Sequence, residues 1–411
     1  MEAMPCWQFL VLPAIVCWLF ISTSLSLTPK LRSLIQPWVT RRVHGDIPII
    51  LLIQRYQNGF LDTFFTGLSF IVSVPFYTAF LPLVFWSGHS KLGRQMTLLL
   101  AFCDYVGNSL KDLVSAPRPT SPAIRKIIST KDEKENALEY GLPSSHALNT
   151  VCLSGYMAYY ALSDNNEAGV SFKLLVVLLV LVLVGLIGVG RIYLGMHSLI
   201  DVSGGVFLGV AILGLWLSVH GVLDAFIVSG HHVAAFWSGL AFLLLFAYPE
   251  PEYPTPSFEF HTSFNGVALG IVCGVQQTYH EFHHEGVPRI FTQHLGLMTF
   301  LERILVGLPT ILFVKFCSKA LAKWLLPILC TILGIPVKSS YYIPLLKTNC
   351  KTKSDGDNMP SSVGYFERFF WYFQPQHGCF DVDTGIRFLQ YAGLAWSVVD
   401  LVPSLFSLLK L

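Results

Sequence analysis

Apolar residues fall in long blocks along the chain, and polar residues gather between those blocks instead of alternating within them. The blocks lie near residues 65–87, 95–114, 146–163, 173–190, 199–219, 232–248, 264–278, 302–336 and 386–409. Each approaches the length that carries a helix across about 30 Å of hydrocarbon. Pro327 predicts a break inside the 302–336 block. The pattern therefore predicts an all-α, polytopic membrane helix bundle.

The opening stretch "CWQFLVLPAIVCWLFISTSLSL" is also apolar, but the only charge before it is Glu2. Without the basic head of a secretory signal it predicts a retained anchor or interfacial helix. A basic run follows at Lys30, Arg32, Arg41 and Arg42. Polar connections occupy 115–145, 249–263 and 337–385. These divide the chain into an N-terminal anchor or interfacial segment (1–64), a core carrying three polar motifs (65–220) and a C-terminal multi-span region (221–411).

Composition agrees: 53% of residues are hydrophobic and 13% charged, where a soluble domain has about 25% charged residues. A formal net charge of +2 offers no field that would recruit nucleic acid. The nine cysteines are scattered without a CxxC pair. Cys350 and Cys379, in a polar loop, are candidates for a bridge should that loop face an oxidising lumen.

Three motifs place ionisable groups at span ends. In "KDLVSAPRP", Lys111 closes one span and Arg118 follows seven residues later, with Pro117 and Pro119 opposing a continuous helix. In "YGLPSSHAL", Ser144 reads as the cap of the next helix, whose first-turn amides at Ser145 and His146 form an anion site. In "GRIYLGMHSLID", His197 and Asp201 share a helical face, while Gly190 and Gly195 predict a turn that folds Arg191 back. Each motif alone has a bland reading, as interface anchors, a common cap or a snorkelling arginine. Topology joins them, because two spans separate the second motif from the third and an even number of crossings returns the chain to one membrane face.

Together they predict a clamp of Lys111, Arg118, Arg191 and the amides beside Ser144 and Ser145, suited to a phosphate monoester. His197, oriented by Asp201, is the predicted nucleophile, and His146 the predicted acid and base. No carboxylate cluster for Mg²⁺ accompanies them, which predicts metal independence and no cofactor.

The order and spacing of these motifs resemble the type 2 phosphatidic acid phosphatase superfamily, whose signature reads KxxxxxxRP, PSGH and SRxxxxxHxxxD. The resemblance covers roughly residues 65–220. It implies the same roles: His197 nucleophile, His146 proton donor, Asp201 orienting partner, and Lys111, Arg118, Ser144 and Arg191 on the phosphate. Two positions depart from the signature, Ser145 in place of glycine and Gly190 in place of serine. The flanking text is similar to sphingosine-1-phosphate and long-chain base phosphate phosphatases. That similarity implies an endoplasmic reticulum membrane protein acting on phosphorylated sphingoid bases from the lumenal side. The positive-inside count points the other way, since Lys30, Arg32, Arg41 and Arg42 fall on the motif side and Lys91, Arg94 and Lys173 opposite.

Parts of the sequence fit other readings. "HEFHHEG" offers His280, His283 and His284 as one box of a membrane di-iron lipid hydroxylase, though such a centre needs about eight histidines from several boxes. A non-catalytic lipid-phosphate binder keeps the fold, and a broad phosphatidate or lysophosphatidate phosphatase keeps the chemistry. Residues 221–411 either shape an acyl-chain groove or complete the bundle.

Overall fold

The computed structural model describes residues 6–128, 130–164, 169–291, 295–343, 346 and 380–411; Cys350 and Cys379 lie outside them. The described chain is helical. Its elements are α1 (Cys6–Ser24), α2 (Leu27–Gly45), α3 (Ile47–Gln54), α4 (Gly59–Phe70), α5 (Val74–Trp86), α6 (Ser90–Val114), α7 (Lys131–Asn136) and α8 (Ser145–Asp164). They continue as α9 (Val170–Tyr193), α10 (Leu199–Ser229), α11 (Val233–Phe246), α12 (Ser257–Thr278), α13 (Leu297–Ile332), α14 (Val382–Val399) and α15 (Leu401–Leu409). Strands Val337–Lys338 and Phe380–Asp381 pair in parallel.

By length and composition α9, α10, α13 and the stretch Val382–Leu409 can each cross a membrane. Two further candidates are bent: Leu10–Ser24 with Leu27–Gln54 by 70°, and Gly59–Phe70 with Val74–Trp86 by 52°. The second of these covers the block expected to span at 65–87, with a break between its two helices. Ser73 caps α5 by accepting the Phe76 amide at 3.3 Å, and Pro75 follows, so a new helix begins where the old one ends. The break expected at Pro327 is absent. α13 runs through Pro309 and Pro327 as one helix, because in hydrocarbon no water replaces backbone hydrogen bonds lost on unwinding.

Close helix contacts rest on glycine. Gly266, Gly270 and Gly274, four residues apart on α12, face the backbone of Phe388, the carbonyl of Ala392 and the side chains of Trp396 and Val399 on α14. Any β-carbon there would collide, so this stripe sets the α12–α14 distance. Gly205 and Gly209 on α10 play the same part against Ser144 and Val151 of the α8 region. Between α6 and α10, Arg94 forms a bidentate pair with Asp224 at 2.5 and 2.8 Å, and Gln95 adds a third bond to the same carboxylate.

The N-terminal helices reach the motif loops. Arg32 of α2 donates to the carbonyls of Asp112 and Leu113, and Gln36 to that of Ser115. Gln54 of α3 donates to Arg125 and Tyr193 at 2.8 and 2.9 Å, and the Asp46 carboxylate accepts the Ile200 amide at 2.9 Å. These bonds brace the loops that carry the first and third motifs.

Candidate active site

α6 ends at Val114, and Ser115 turns the chain through a left-handed conformation (φ 51°) into the proline-rich loop that carries Arg118. Asp112, beside Lys111, accepts Tyr248 Oη at 2.8 Å and Thr255 Oγ1 at 2.9 Å, so the loop before α12 secures the end of α6. At the end of α9, Gly195 takes φ +71°, and a side chain there would strike the carbonyl of Arg125. The predicted turn thus lies at Gly195, and the amides of Met196 and His197 fold back onto the carbonyl of Arg191.

One cavity of about 50 Å³ collects Lys111, Arg118, Ser145, His146, Arg191 and His197, together with Asp104 and Glu139. Arg118 is held from several sides: Nε donates to the Glu139 carbonyl at 2.8 Å, Nη1 to the Met196 carbonyl at 2.7 Å and Nη2 to the Asn136 carbonyl at 2.6 Å. Its Nη1 also donates to His197 Nε2 at 2.9 Å. A guanidinium has no acceptor, so Nε2 carries the lone pair and Nδ1 the proton. Burial, and then the cations Arg118, Arg191 and Lys111, hold the His197 imidazole well below its ordinary value.

Asp201 faces His197 Nδ1 at 3.6 Å, outside hydrogen-bond range. Its Oδ2 instead accepts the Ser198 amide at 2.8 Å in a reciprocal cap at the start of α10. Both His197 Nδ1 and Asp201 Oδ1 are buried without a hydrogen-bond partner, so a small rotation of either ring or carboxylate joins them. Ser144 lies behind the cavity. Its amide donates to the Asp201 carbonyl at 3.0 Å and its Oγ faces the Ala147 amide at 3.5 Å, which makes it a brace between α8 and α10. The amides of Ser145 and His146 then open the helix, where first-turn N–H groups have no intrahelical partner.

Arg191 is the strongest sign of an anion-binding site. Nη1 donates to Ser69 Oγ at 3.1 Å, while Nε and Nη2 are buried with no partner. A cation in that state is costly unless an anion joins it. Gly190 also gains a physical account: a β-carbon there would lie 2.8 Å from the ring of Phe65 on α4. The family serine does not fit against Phe65, and Ser69 on the same helix brings a hydroxyl to Arg191 instead.

Two cavity residues escape the motif reading. Glu139 pairs with Lys111 and lies 3.7 Å from Arg118 Nη2, so its carboxylate sits in the cationic clamp. The signal was an acid placed just before "YGLPSSH". Asp104 lies inside a predicted span, where any ionisable group is a functional candidate. A second, apolar cavity of about 160 Å³ adjoins the first and shares Val74, Tyr77, Phe260 and Phe264 with it. Leu81 and Phe85 of α5, Val267 and Ile271 of α12, and Leu394 and Val398 of α14 line its walls, so the C-terminal region borders the polar site.

The histidine box is built differently from a metal centre. His283 closes a π-helical turn, with Nε2 2.6 Å from the Val399 carbonyl and Nδ1 3.3 Å from Ser90 Oγ. Among the described residues no three His, Cys, Asp or Glu side chains gather as a ligand set.

Residues 93–225 match the PAP2 superfamily. Over 411 residues the chain is 60% identical to the lipid phosphate phosphatase delta of Arabidopsis thaliana, covering 100% of this chain and 98% of the relative. It is 28% identical over 392 residues to a dihydrosphingosine 1-phosphate phosphatase of Schizosaccharomyces pombe, covering 93% of this chain and 91% of the relative. With sphingosine-1-phosphate phosphatase 2 of Homo sapiens it shares 27% identity over 224 residues, 54% of each chain. No solved structure matches. A full-length relative at this identity, together with the family match over the segment that carries all three motifs, means that the chain belongs to the PAP2 superfamily, as a multi-pass membrane phosphatase.

Proposed function

We propose that this protein hydrolyses long-chain base phosphates to the free sphingoid base and inorganic phosphate, through a phosphohistidine intermediate. The observation that carries the phosphate chemistry is the buried, part-unpartnered Arg191 in one cavity with Lys111 and Arg118. Support for the lipid comes from the adjoining apolar cavity and from relatives whose names specify lipid phosphates and sphingoid base phosphates.

Lys111, Arg118, Arg191 and the first amides of α8 hold the non-bridging oxygens, which neutralises charge and leaves phosphorus open to in-line attack. As Arg118 turns to the phosphate, Nε2 of His197 is released to attack; the N–P bond forms as the P–O bond to the lipid breaks. Asp201 stabilises the charge that develops on the ring through Nδ1. His146 gives its proton to the departing alkoxide, then takes one from the water that attacks the phosphohistidine, which frees phosphate and restores both imidazoles. The protein carries out this reaction in the endoplasmic reticulum membrane, with its site toward the lumen.

Phosphate release by the purified protein, in chelator, from sphingoid base phosphates, phosphatidate, lysophosphatidate and glucose 6-phosphate tests the proposal. Sphingoid base phosphates are expected to lead; preference for phosphatidate overturns the substrate. His197→Ala is expected to abolish acid-labile labelling by ³²P-substrate, and substantial turnover by that variant rules out the intermediate. Protease protection of a tag in the 115–145 loop of sealed microsomes checks the lumenal side.

A further inference from the structure

We infer that Asp104 recognises the ammonium group of the substrate, and so separates sphingoid base phosphates from phosphatidates; the inference rests on the substrate proposed above. Thr97, Asp104 and Lys111 are spaced by seven on α6, which puts them on one face, about 10 Å apart along the axis. Lys111 lines the cationic cavity, Thr97 the apolar one, and Asp104 stands between them on the cavity wall. The order phosphate, carboxylate, hydrocarbon along α6 matches a sphingoid base phosphate: phosphate on the first carbon, ammonium on the second, chain beyond. The ammonium nitrogen is four bonds, or about 5 Å, from phosphorus.

The state of the side chain points the same way. Asp104 Oδ1 accepts the Asn108 amide at 2.8 Å, whereas Oδ2 is buried with no hydrogen-bond partner. A buried carboxylate beside a phosphate clamp repels a dianion, a poor arrangement for an enzyme that binds phosphate alone. A ligand carrying its own cation next to the phosphate converts that repulsion into attraction and satisfies Oδ2. Lys111 engages Glu139, which leaves Asp104 as the cavity-lining carboxylate with an unpartnered oxygen.

The test compares kcat/KM for sphinganine 1-phosphate and for its 2-desamino analogue, in wild type and in Asp104→Asn, in detergent micelles. The wild-type preference for the amine-bearing substrate is expected to fall about tenfold to hundredfold in the variant, the range of one charge-assisted hydrogen bond. A wild-type preference that persists unchanged in Asp104→Asn overturns the inference and leaves the substrate proposal standing. A wild type indifferent to the amine overturns the inference, whereas preference for phosphatidate in the substrate panel overturns the substrate proposal beneath it. A second measurement needs no variant: a hydrophobic carbodiimide labels Asp104 in the wild-type protein, read by mass spectrometry. Sphinganine with inorganic phosphate is expected to protect it, and the desamino diol with inorganic phosphate not; equal labelling in the two overturns the inference.

Discussion

Glu139→Gln is expected to move two properties in opposite directions. The Glu139 carboxylate pairs with buried Lys111 and approaches Arg118, so it stands in the cavity among the groups that would hold phosphate oxygens. Glutamine keeps the shape and the carbonyl that accepts Arg118 Nε, but removes the charge. Breaking a buried pair from one side costs about 3–5 kcal/mol of stability, because the remaining ammonium is left without its anion. Binding changes the other way. A unit charge about 5 Å from a phosphate charge opposes that charge by roughly 3 kcal/mol at an effective dielectric near 20. Much of that is lost to relaxation of the two cations, so inhibition by orthovanadate and inorganic phosphate should tighten by about tenfold to hundredfold. Tryptophan-fluorescence melting gives the stability, and competitive inhibition constants give the affinity. Vanadate should also raise the melting temperature of the variant more than that of wild type, since an anion now fills the vacancy. Weaker anion binding together with lower stability would refute the reasoning, as it would make Glu139 a structural support only.

The His197 imidazole sits well below its ordinary 6.5, first through burial and then through Arg118, Arg191 and Lys111. A base with a lowered pKa stays unprotonated to lower pH, so the acid limb of kcat/KM should lie below 6.5 and move upward in the residual activity of Arg118→Gln; a wild-type limb at or above 6.5 contradicts this. The same shift makes the folded state lose stability as pH falls below 6.5, because the unfolded chain takes up a proton that the fold refuses. Gly190→Ser, which restores the family residue, should destabilise by about 1–3 kcal/mol against Phe65, and Phe65→Leu should relieve it; equal melting temperatures for Gly190→Ser and wild type would remove the steric account. Gly270→Leu should force α14 from α12 and widen the apolar cavity, lowering hydrolysis of long-chain lipid phosphates more than of a short soluble phosphate ester; a uniform loss would detach that cavity from lipid binding.

Chemistry confined to short segments was legible along the chain. The spacing within each motif and the turn at Gly195 follow from local geometry, whereas α8, counted from the sequence as a crossing, is not among the helices apolar enough to span. Lys111, Arg118, Ser145, His146, Arg191 and His197, singled out by those motifs, do line one cavity. Only the tertiary structure decided which partners those groups meet. Glu139 in the clamp, Ser69 on Arg191, Phe65 against Gly190 and Gln54 under the first and third motif loops are all contacts between distant segments. The same holds for Ser144, whose capping role was readable, but whose amide is bound to Asp201 because α10 lies alongside α8. The physical reason is range. Helix periodicity and hydropathy are properties of a few consecutive residues, whereas a buried charge is governed by whichever side chain packing brings within a few ångströms, and no local pattern encodes that neighbour.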